Sequence, residues 1–334
     1  MKLCLLCAAE WQEQDPSRYF QNWDAQVQWI YKATAFQQIR ELAEKQFDVF
    51  INLCDACADD DEAGIQVVHA LEQLKLPFTG ARSNFYDPSR AMMKQACQHV
   101  GIPTPPFLFV TTEDQGKAAA KRLRFPLIVK HPNGHSSVGL LKKSRVENAD
   151  QLRAQTRRMI AEYGGALIEE FIEGREFDVL VAENADHPAA PFAYRPAEFL
   201  FPPSESFKHY DLKWVHYDSL KCVPCDDPVL AVRLQAMAKK MFVALNGSGY
   251  GRCDFRMDAH GELYLLEINP NCGIFFPADE LGSADFILTQ HEDGHRIFIE
   301  RIMRAGLNRH QHRNRSFSHA ASAIDGVFAN QSEV

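Results

Sequence analysis

The segment GYGRCDFRMDAHGELYLLEIN, residues 249–269, constrains the fold more than any other stretch of the chain. Apolar and polar residues alternate on both sides of a turn-like centre, DAHG, so the segment predicts two antiparallel strands joined by a tight turn. With a loop of two or four residues, Met257 pairs with Glu262, Asp254 lies opposite Leu265, and Arg252 lies opposite Glu267. Side chains alternate faces with period two. Arg252, Asp254, Glu267 and Asn269 then project from one face. Two carboxylates and an amide oxygen are hard donors suited to Mg²⁺, which shares its shell with substrate phosphates. An arginine beside them suits a phosphoryl oxygen. A polar sheet face laced with salt bridges has the same pattern, and on these residues alone both readings stand.

At 334 residues and 46% hydrophobic content the chain can bury a large core and is too long for one ordinary domain. Its formal net charge of −8 gives no overall positive field to draw nucleic acid or an anionic membrane. No apolar run reaches the length of a membrane span. The N-terminal LCLLCAA has barely a charged leader, so it reads as a first buried strand and not as a signal peptide. The expected compartment is the cytoplasm. Nine cysteines, an odd number over a long chain, do not make a disulfide framework. Three Cys-x-x-Cys pairs occur: Cys4/Cys7, Cys54/Cys57 and Cys222/Cys225. Residues three apart in a strand point to opposite faces, which argues against a thiol or zinc site at the first pair.

Apolar runs at 2–8 and 47–53 alternate with helical patterns, including 63–75, and predict a small parallel α/β unit. The run Asp59-Asp60-Asp61-Glu62 reads as a solvated helix start. Residues 88–100 are helical in pattern and end at Gly101-Ile102-Pro103, a stop signal. From 107 the pattern is α+β: a buried strand at 125–131, a helix at 147–163, a strand at 166–174 and a helix at 228–246. Residues 199–227 lack periodicity, the mark of a functional lid or a disordered loop. A last helix falls near 292–305, and the tail from 306 reads as disordered.

Two further segments suit a nucleotide. The loop NGHSSVG at 133–139 is rich in small residues, which let backbone N–H groups approach phosphate. Lys130 ends the strand before it and reaches toward the same anion. It is not a Walker motif, and no G-x-G-x-x-G fingerprint is present. In ALIEEFIEGREF, 166–177, an edge strand beside a nucleotide offers backbone groups to adenine, and Glu176 suits ribose hydroxyls.

Taken in order, these segments resemble the D-alanine–D-alanine ligase branch of the ATP-grasp superfamily. FPLIVKHPNGHSSVG resembles its strand and glycine-rich loop, ALIEEFIEGREF its adenine and ribose segment, and YDLKW (210–214) its lid motif. GYGRCDF and EINPNCG resemble its metal-binding strands, and the match is collinear from about 76 to 305. The resemblance implies an α/β plus α+β architecture, the ATP-grasp fold with a Rossmann-like N-terminal domain. Its expected divisions are an N-terminal domain over 1–87 and an ATP-grasp domain over 88–305. The latter divides into a central lobe (about 102–174), a C-terminal lobe (about 175–305) and the lid at 199–227.

By the same resemblance Arg90, Lys130, Ser136 and Ser137 contact ATP phosphates; Glu169, Glu170 and Ile172 line adenine; and Glu176 holds ribose. Lys213 comes from the lid, and Arg252 stabilises the transferring phosphoryl group. Asp254, Glu267 and Asn269 bind two Mg²⁺ ions, with Mn²⁺ as a substitute. Glu10, Gly273 and Ser283 are candidates for substrate contacts. The implied activity is ATP-dependent joining of a carboxylate to an amine through an acyl-phosphate, on amino acids or a dipeptide. Partners are small-molecule carboxylate and amine substrates, with no nucleic acid or membrane and with a homodimer left open.

Departures from the family pattern bear on the first substrate. CLLCAAEWQEQDPS stands where the family has a Gly-Gly-x-Ser pattern, and NLCDACADDDEAG replaces its His-Gly-x-x-Gly-Glu-Asp segment. His135 stands at a usual loop glycine, Trp214 at the lid tyrosine, and IFFPADELGSADF follows EINPNCG. Three other readings remain: a true D-alanine–D-alanine ligase with a divergent N-terminus, a nucleotide-binding pseudoenzyme, and a thiol or zinc protein. The intact Arg252, Asp254, Glu267 and Asn269 set argues against the pseudoenzyme.

Overall fold

The computed structural model describes residues 1–57, 60–133, 137–214 and 220–329, with side chains to residue 212 in the third stretch and to 313 in the last. The described residues form three sheets. The first is parallel, with order β2-β1-β3, from β1 (Lys2–Ala8), β2 (Asp24–Ile30) and β3 (Val49–Asn52). Helices α1 (Ala35–Ala43), α2 (Ile65–Gln73) and the short α3 (Ser83–Tyr86) complete this unit. Strand β2 was not legible as an apolar run, because DAQVQWI alternates and only Ile30 is fully buried. Helix α2 starts at Gly64 with no side-chain cap, and Asp60 instead accepts a hydrogen bond from the Cys57 backbone at 2.7 Å. Asp60, the first described residue of the acidic run, is therefore part of a turn and not a helix cap.

A second, four-stranded antiparallel sheet follows α4 (Arg90–Val100). Ser89 caps α4 by accepting from the Met92 N–H, and Gly101 ends it in the left-handed region at φ 66°. The sheet has order β4-β7-β5-β6, built from β4 (Phe107–Val110), β5 (Leu127–Lys130), β6 (Arg145–Val146) and β7 (Ala166–Glu170). Helices α5 (Glu113–Arg122) and α6 (Ala149–Tyr163) pack on it around Val129, Leu152, Met159 and Ile168.

The third sheet is antiparallel with order β11-β10-β8-β12-β13, and β9 pairs with β8. Its strands are β8 (Arg175–Ala182), β9 (Phe192–Ala193), β10 (Ala197–Leu200), β11 (Lys221–Pro224), β12 (Tyr250–Met257) and β13 (Leu263–Pro270). Helix α7 (Tyr210–Trp214) lies between β10 and β11, and α8 (Pro228–Ala244) follows them. Asp227 caps α8 at Val229 and Leu230, with Pro228 in its first turn. The 199–227 stretch is thus not irregular throughout: it holds the end of β10, α7 and β11, while residues 215–219 lie outside those described.

One face of this sheet, with Phe177, Val179, Cys253, Phe255 and Ile268, packs on α8 in the main core. The other face carries Leu180, Ala182 and Tyr250 into a second core. That core is covered by α9 (Ser283–Thr289) and α10 (Gly294–Ala329). The tail expected to be disordered from 306 instead continues α10 to Ala329. Few strong breakers occur between 307 and 329, with only Gly326 and no proline, so nothing local stops the helix. Among the described residues no helix is long and apolar enough to cross a membrane.

Cys4 and Cys7 fall into different cores on opposite sides of β1, and Cys222 and Cys225 are divided in the same way. Burial pushes the Cys4 and Cys222 thiols up to about 12, so neither is a thiolate at neutral pH.

Candidate active site

The hairpin β12–β13 forms as expected, but its register differs. Met257 pairs with Leu263 and Phe255 with Leu265; a bulge then brings Asp254 opposite Glu267 and Arg252 opposite Asn269. The turn is longer than two residues, and the extra residue, Leu266, restores the alternation that the turn shifts. The four polar residues still share one face, and the two carboxylates stand directly across from each other. They line a cleft of about 1190 Å³ that runs from the parallel sheet to the four-stranded one.

Arg252 is shared by two acids: its Nε lies 2.8 Å from Asp254 Oδ1 and 3.1 Å from Asp178 Oδ2. Burial works against its charge, and the two carboxylates more than offset that, raising its pKa well above the ordinary value. Asn269 donates to Asp254 Oδ2 at 3.2 Å. Arg90, from the first turn of α4, sits 2.8 Å from Glu267 Oε2. One turn further along α4, Lys94 Nζ reaches Glu169 Oε1 at 2.5 Å, and Lys130 Nζ reaches Oε2 at 2.7 Å. Burial opposes ionisation of Glu169, but the two lysines win and hold its carboxyl down at about 2. Glu170 turns the other way, to Arg124 at 2.9 Å.

Glu176 and Asp178 alternate inward on β8. Lys208 Nζ bridges them at 3.0 and 3.1 Å, and Arg256 approaches Glu176 at 3.3 Å. Burial would lower the Lys208 pKa, but Asp178 and Glu176 raise it further, so this lysine stays charged. Its backbone carbonyl accepts a hydrogen bond from Ser137 Oγ at 3.1 Å, tying the glycine-rich loop to the 207–209 segment.

Of the expected site residues, Arg90, Lys130, Ser137, Glu169, Glu170, Ile172, Glu176, Arg252, Asp254, Glu267, Asn269, Gly273 and Ser283 all line this cleft. Glu10 does not: it is exposed on the turn after β1 and is not part of the cleft wall. Ser136 and the Lys213 side chain lie outside the described residues. Among the described residues of this region, Lys208 lines the cleft.

Lys94, Asp178, Lys208 and Arg256 were missed by the sequence reading. Two of them carried a signal: Lys94 is four residues after Arg90 on one helix face, and Asp178 is two after Glu176 on one strand face. Nothing marked Lys208 inside an aperiodic stretch. Beyond β13, buried Asp285 accepts from the Phe275 and Phe276 N–H groups at 2.9 and 3.3 Å and contacts His295 at 2.9 Å. It fixes the wall that carries Gly273, where a Cβ would come within 2.8 Å of the Phe276 ring.

Among the described residues no cluster of three or more His, Cys, Asp or Glu is arranged as a metal cage. Asp254, Glu267 and Asn269 fit an open Mg²⁺ site, which needs few protein ligands because substrate phosphates and water supply the rest. In this structure both carboxylates face guanidinium groups, Asp254 that of Arg252 and Glu267 that of Arg90.

Residues 96–276 match the protein family described as D-ala D-ala ligase C-terminus. A D-alanine--D-alanine ligase of Janthinobacterium sp. (strain Marseille) is 30% identical over 291 residues, 84% of this chain and 86% of that one. One from Enterococcus faecalis is 32% identical over 211 residues, 60% of this chain and 58% of its own. In fold, the chain is similar to the D-alanine-D-alanine ligase from Coxiella burnetii, with TM-score 0.71 at 17% identity over 97% of this chain and 99% of that one. It is also similar to the Bacillus anthracis ligase complexed with ATP, with TM-score 0.66 at 18% identity over 94% and 99%.

Proposed function

Since this chain belongs to the D-alanine–D-alanine ligase family, has the ATP-grasp fold and is an ATP-dependent ligase forming C–N bonds, we propose that it joins an amino acid or dipeptide carboxylate to an amine through an acyl-phosphate. The observation that carries this reading is the register of β8, β12 and β13. It puts Asp254, Glu267, Asn269 and Arg252 on one face of a cleft that also holds Lys130 and Lys208.

In this reading Glu169, Glu170, Ile172 and Glu176 take the adenosine end, and Arg90, Lys130, Ser136 and Ser137 the phosphates. Lys213 closes from the lid. Asp254, Glu267 and Asn269 would hold two Mg²⁺ ions, which neutralise phosphate charge and polarise the phosphoryl oxygens when bound. A carboxylate oxygen of the first substrate attacks the γ-phosphorus, the bond to the β-phosphate oxygen breaks, and ADP leaves. The amine nitrogen of the second substrate then attacks the acyl carbon. The carbon–oxygen bond to phosphate breaks, inorganic phosphate departs, and the nitrogen loses a proton to leave an amide. The protein contributes position and fixed charge: Arg252 would stabilise the transferring phosphoryl group and the later tetrahedral oxyanion. The lid at 199–227 would exclude water, which would otherwise hydrolyse the acyl-phosphate.

The substrate pair departs from that of the named relatives. The residues at the N-terminal wall of the cleft, among them Cys7, Trp11, Leu53 and Asp55, differ from the family's acidic and histidine motifs. A buried ammonium that loses its partner binds weakly. D-Alanine alone is therefore expected to give slow ADP formation or none, and another pair of L- or D-amino acids or dipeptides a much higher specificity constant. Coupled ADP assays over such a panel make the comparison. If D-alanine alone ranks highest, the orthodox D-alanine–D-alanine ligase reading replaces this one.

A further inference from the structure

Strand β8 brings to the reacting face a residue that neither the sequence motifs nor the comparisons assign. Asp178 lies directly opposite Asp254, which lies directly opposite Glu267. Three carboxylates therefore stand abreast on adjacent strands, at the usual strand spacing of about 4.8 Å. The Asp178 side chain is 1% exposed. A carboxylate so buried persists only if cations and hydrogen bonds compensate it. Lys208 Nζ does so from one side at 3.1 Å, and Arg252 Nε from the other at 3.1 Å.

Arg252 thus has two anchors, and they are not equivalent. Asp254 is beside Glu267 and Asn269, in the set that suits a cation, whereas Asp178 is one strand further away. When Asp254 turns to a cation, its hold on Arg252 weakens, and Asp178 is the carboxylate left to keep the guanidinium in place. Lys208 is anchored by the same group. Its ammonium also lies 3.8 Å from the Phe199 ring centre, and its backbone is held by Ser137 of the glycine-rich loop.

We infer that Asp178 is a positioning residue, holding the Arg252 guanidinium and the Lys208 ammonium where the phosphoryl group is transferred; this rests on the ligase reading above. It acts through these two cations and not by contact with the reacting atoms.

The test uses the full chain and needs no knowledge of the substrates. ADP binding is measured with Mg²⁺, with and without aluminium fluoride, which mimics the phosphoryl group in transit. In the unaltered protein aluminium fluoride tightens ADP binding. Asp178→Asn keeps the shape and removes the charge. It should leave Mg²⁺-ADP affinity within about twofold, because the loss falls on a state-specific contact. It should lose about tenfold or more of the added tightening, since that tightening reports the transfer state. Asp178→Glu should recover part of it. Thermal melting checks that each variant is folded; if Asp178→Asn is not, Asp178→Thr removes the same charge with a smaller side chain and must show the same selective loss. Full tightening in the tested variant, equal loss of ADP and mimic binding, or no tightening in the unaltered protein would each overturn the inference. No Mg²⁺-ADP binding by the unaltered protein would sink the ligase reading itself, and the inference with it.

Discussion

Asp254→Asn and Glu267→Gln should each lower ADP formation by about 10²- to 10³-fold, the scale on which losing one preorganised charged group slows turnover. Both substitutions keep volume and hydrogen-bonding capacity and remove one negative charge. Asp254 faces the Arg252 guanidinium and the Asn269 amide, and Glu267 faces Arg90. Without its carboxylate, either position leaves an arginine less compensated and the proposed Mg²⁺ site with a neutral ligand in place of a charged one. The fold should survive, because Arg252 keeps Asp178 as a partner and the Glu267 side chain is 24% exposed. Circular dichroism and melting should therefore stay close to those of the unaltered protein while activity falls. Full activity in both variants would contradict the assignment of this row.

Glu169→Gln has the largest expected effect on stability, about 3–5 kcal/mol, the cost of removing one partner from a buried ion pair. Lys94 is 2% exposed and has both Glu169 Oε1 and Thr104 Oγ1 at 2.5 Å. A neutral amide at 169 leaves a buried ammonium with only uncharged partners, and Lys130 loses the same anion. Urea unfolding measures the change, and a loss under about 1 kcal/mol would show that the site relaxes or hydrates the lysine. The pH dependence follows from the same contact. The folded carboxyl is depressed to about 2, below its unfolded value of about 4.3. Its contribution is therefore complete above the unfolded pKa and disappears as pH falls from there through about 2. The glutamine variant should lose less stability than the unaltered protein over that acid window.

Local rules carried the sequence reading far. Gly101 and Gly164 close helices in the left-handed region, and Asp227-Pro228 opens one. Period two in β12 and β13 was enough to place four polar residues on one face. It was not enough to set which residue faces which. The Leu266 bulge arises in the pairing of β13 with β12 beyond a turn whose length local alternation does not encode. Lys94 and Glu169 make the same point across distance: their contact joins a helix to a strand more than seventy residues on, and propensity is silent about it. Lys208 is the extreme case, because its two carboxylate partners hold it in a segment with no periodic pattern. The resemblance to a known family supplied what spacing did not, above all that Lys130, Glu169 and Glu176 belong to one site. The tail is the reverse case, since α10 runs past the last residue whose apolar pattern marked it.

The most direct measurement follows an oxygen atom. Once the panel has identified a carboxylate and amine that support ADP formation, the carboxylate is supplied with both oxygens as ¹⁸O and the released phosphate is analysed by mass spectrometry. If the chain forms an amide through an acyl-phosphate, the oxygen that attacked phosphorus leaves with it, and each phosphate carries one ¹⁸O for each amide made. Phosphate without ¹⁸O would mean that water, and not the carboxylate, accepts the phosphoryl group, and would contradict the account.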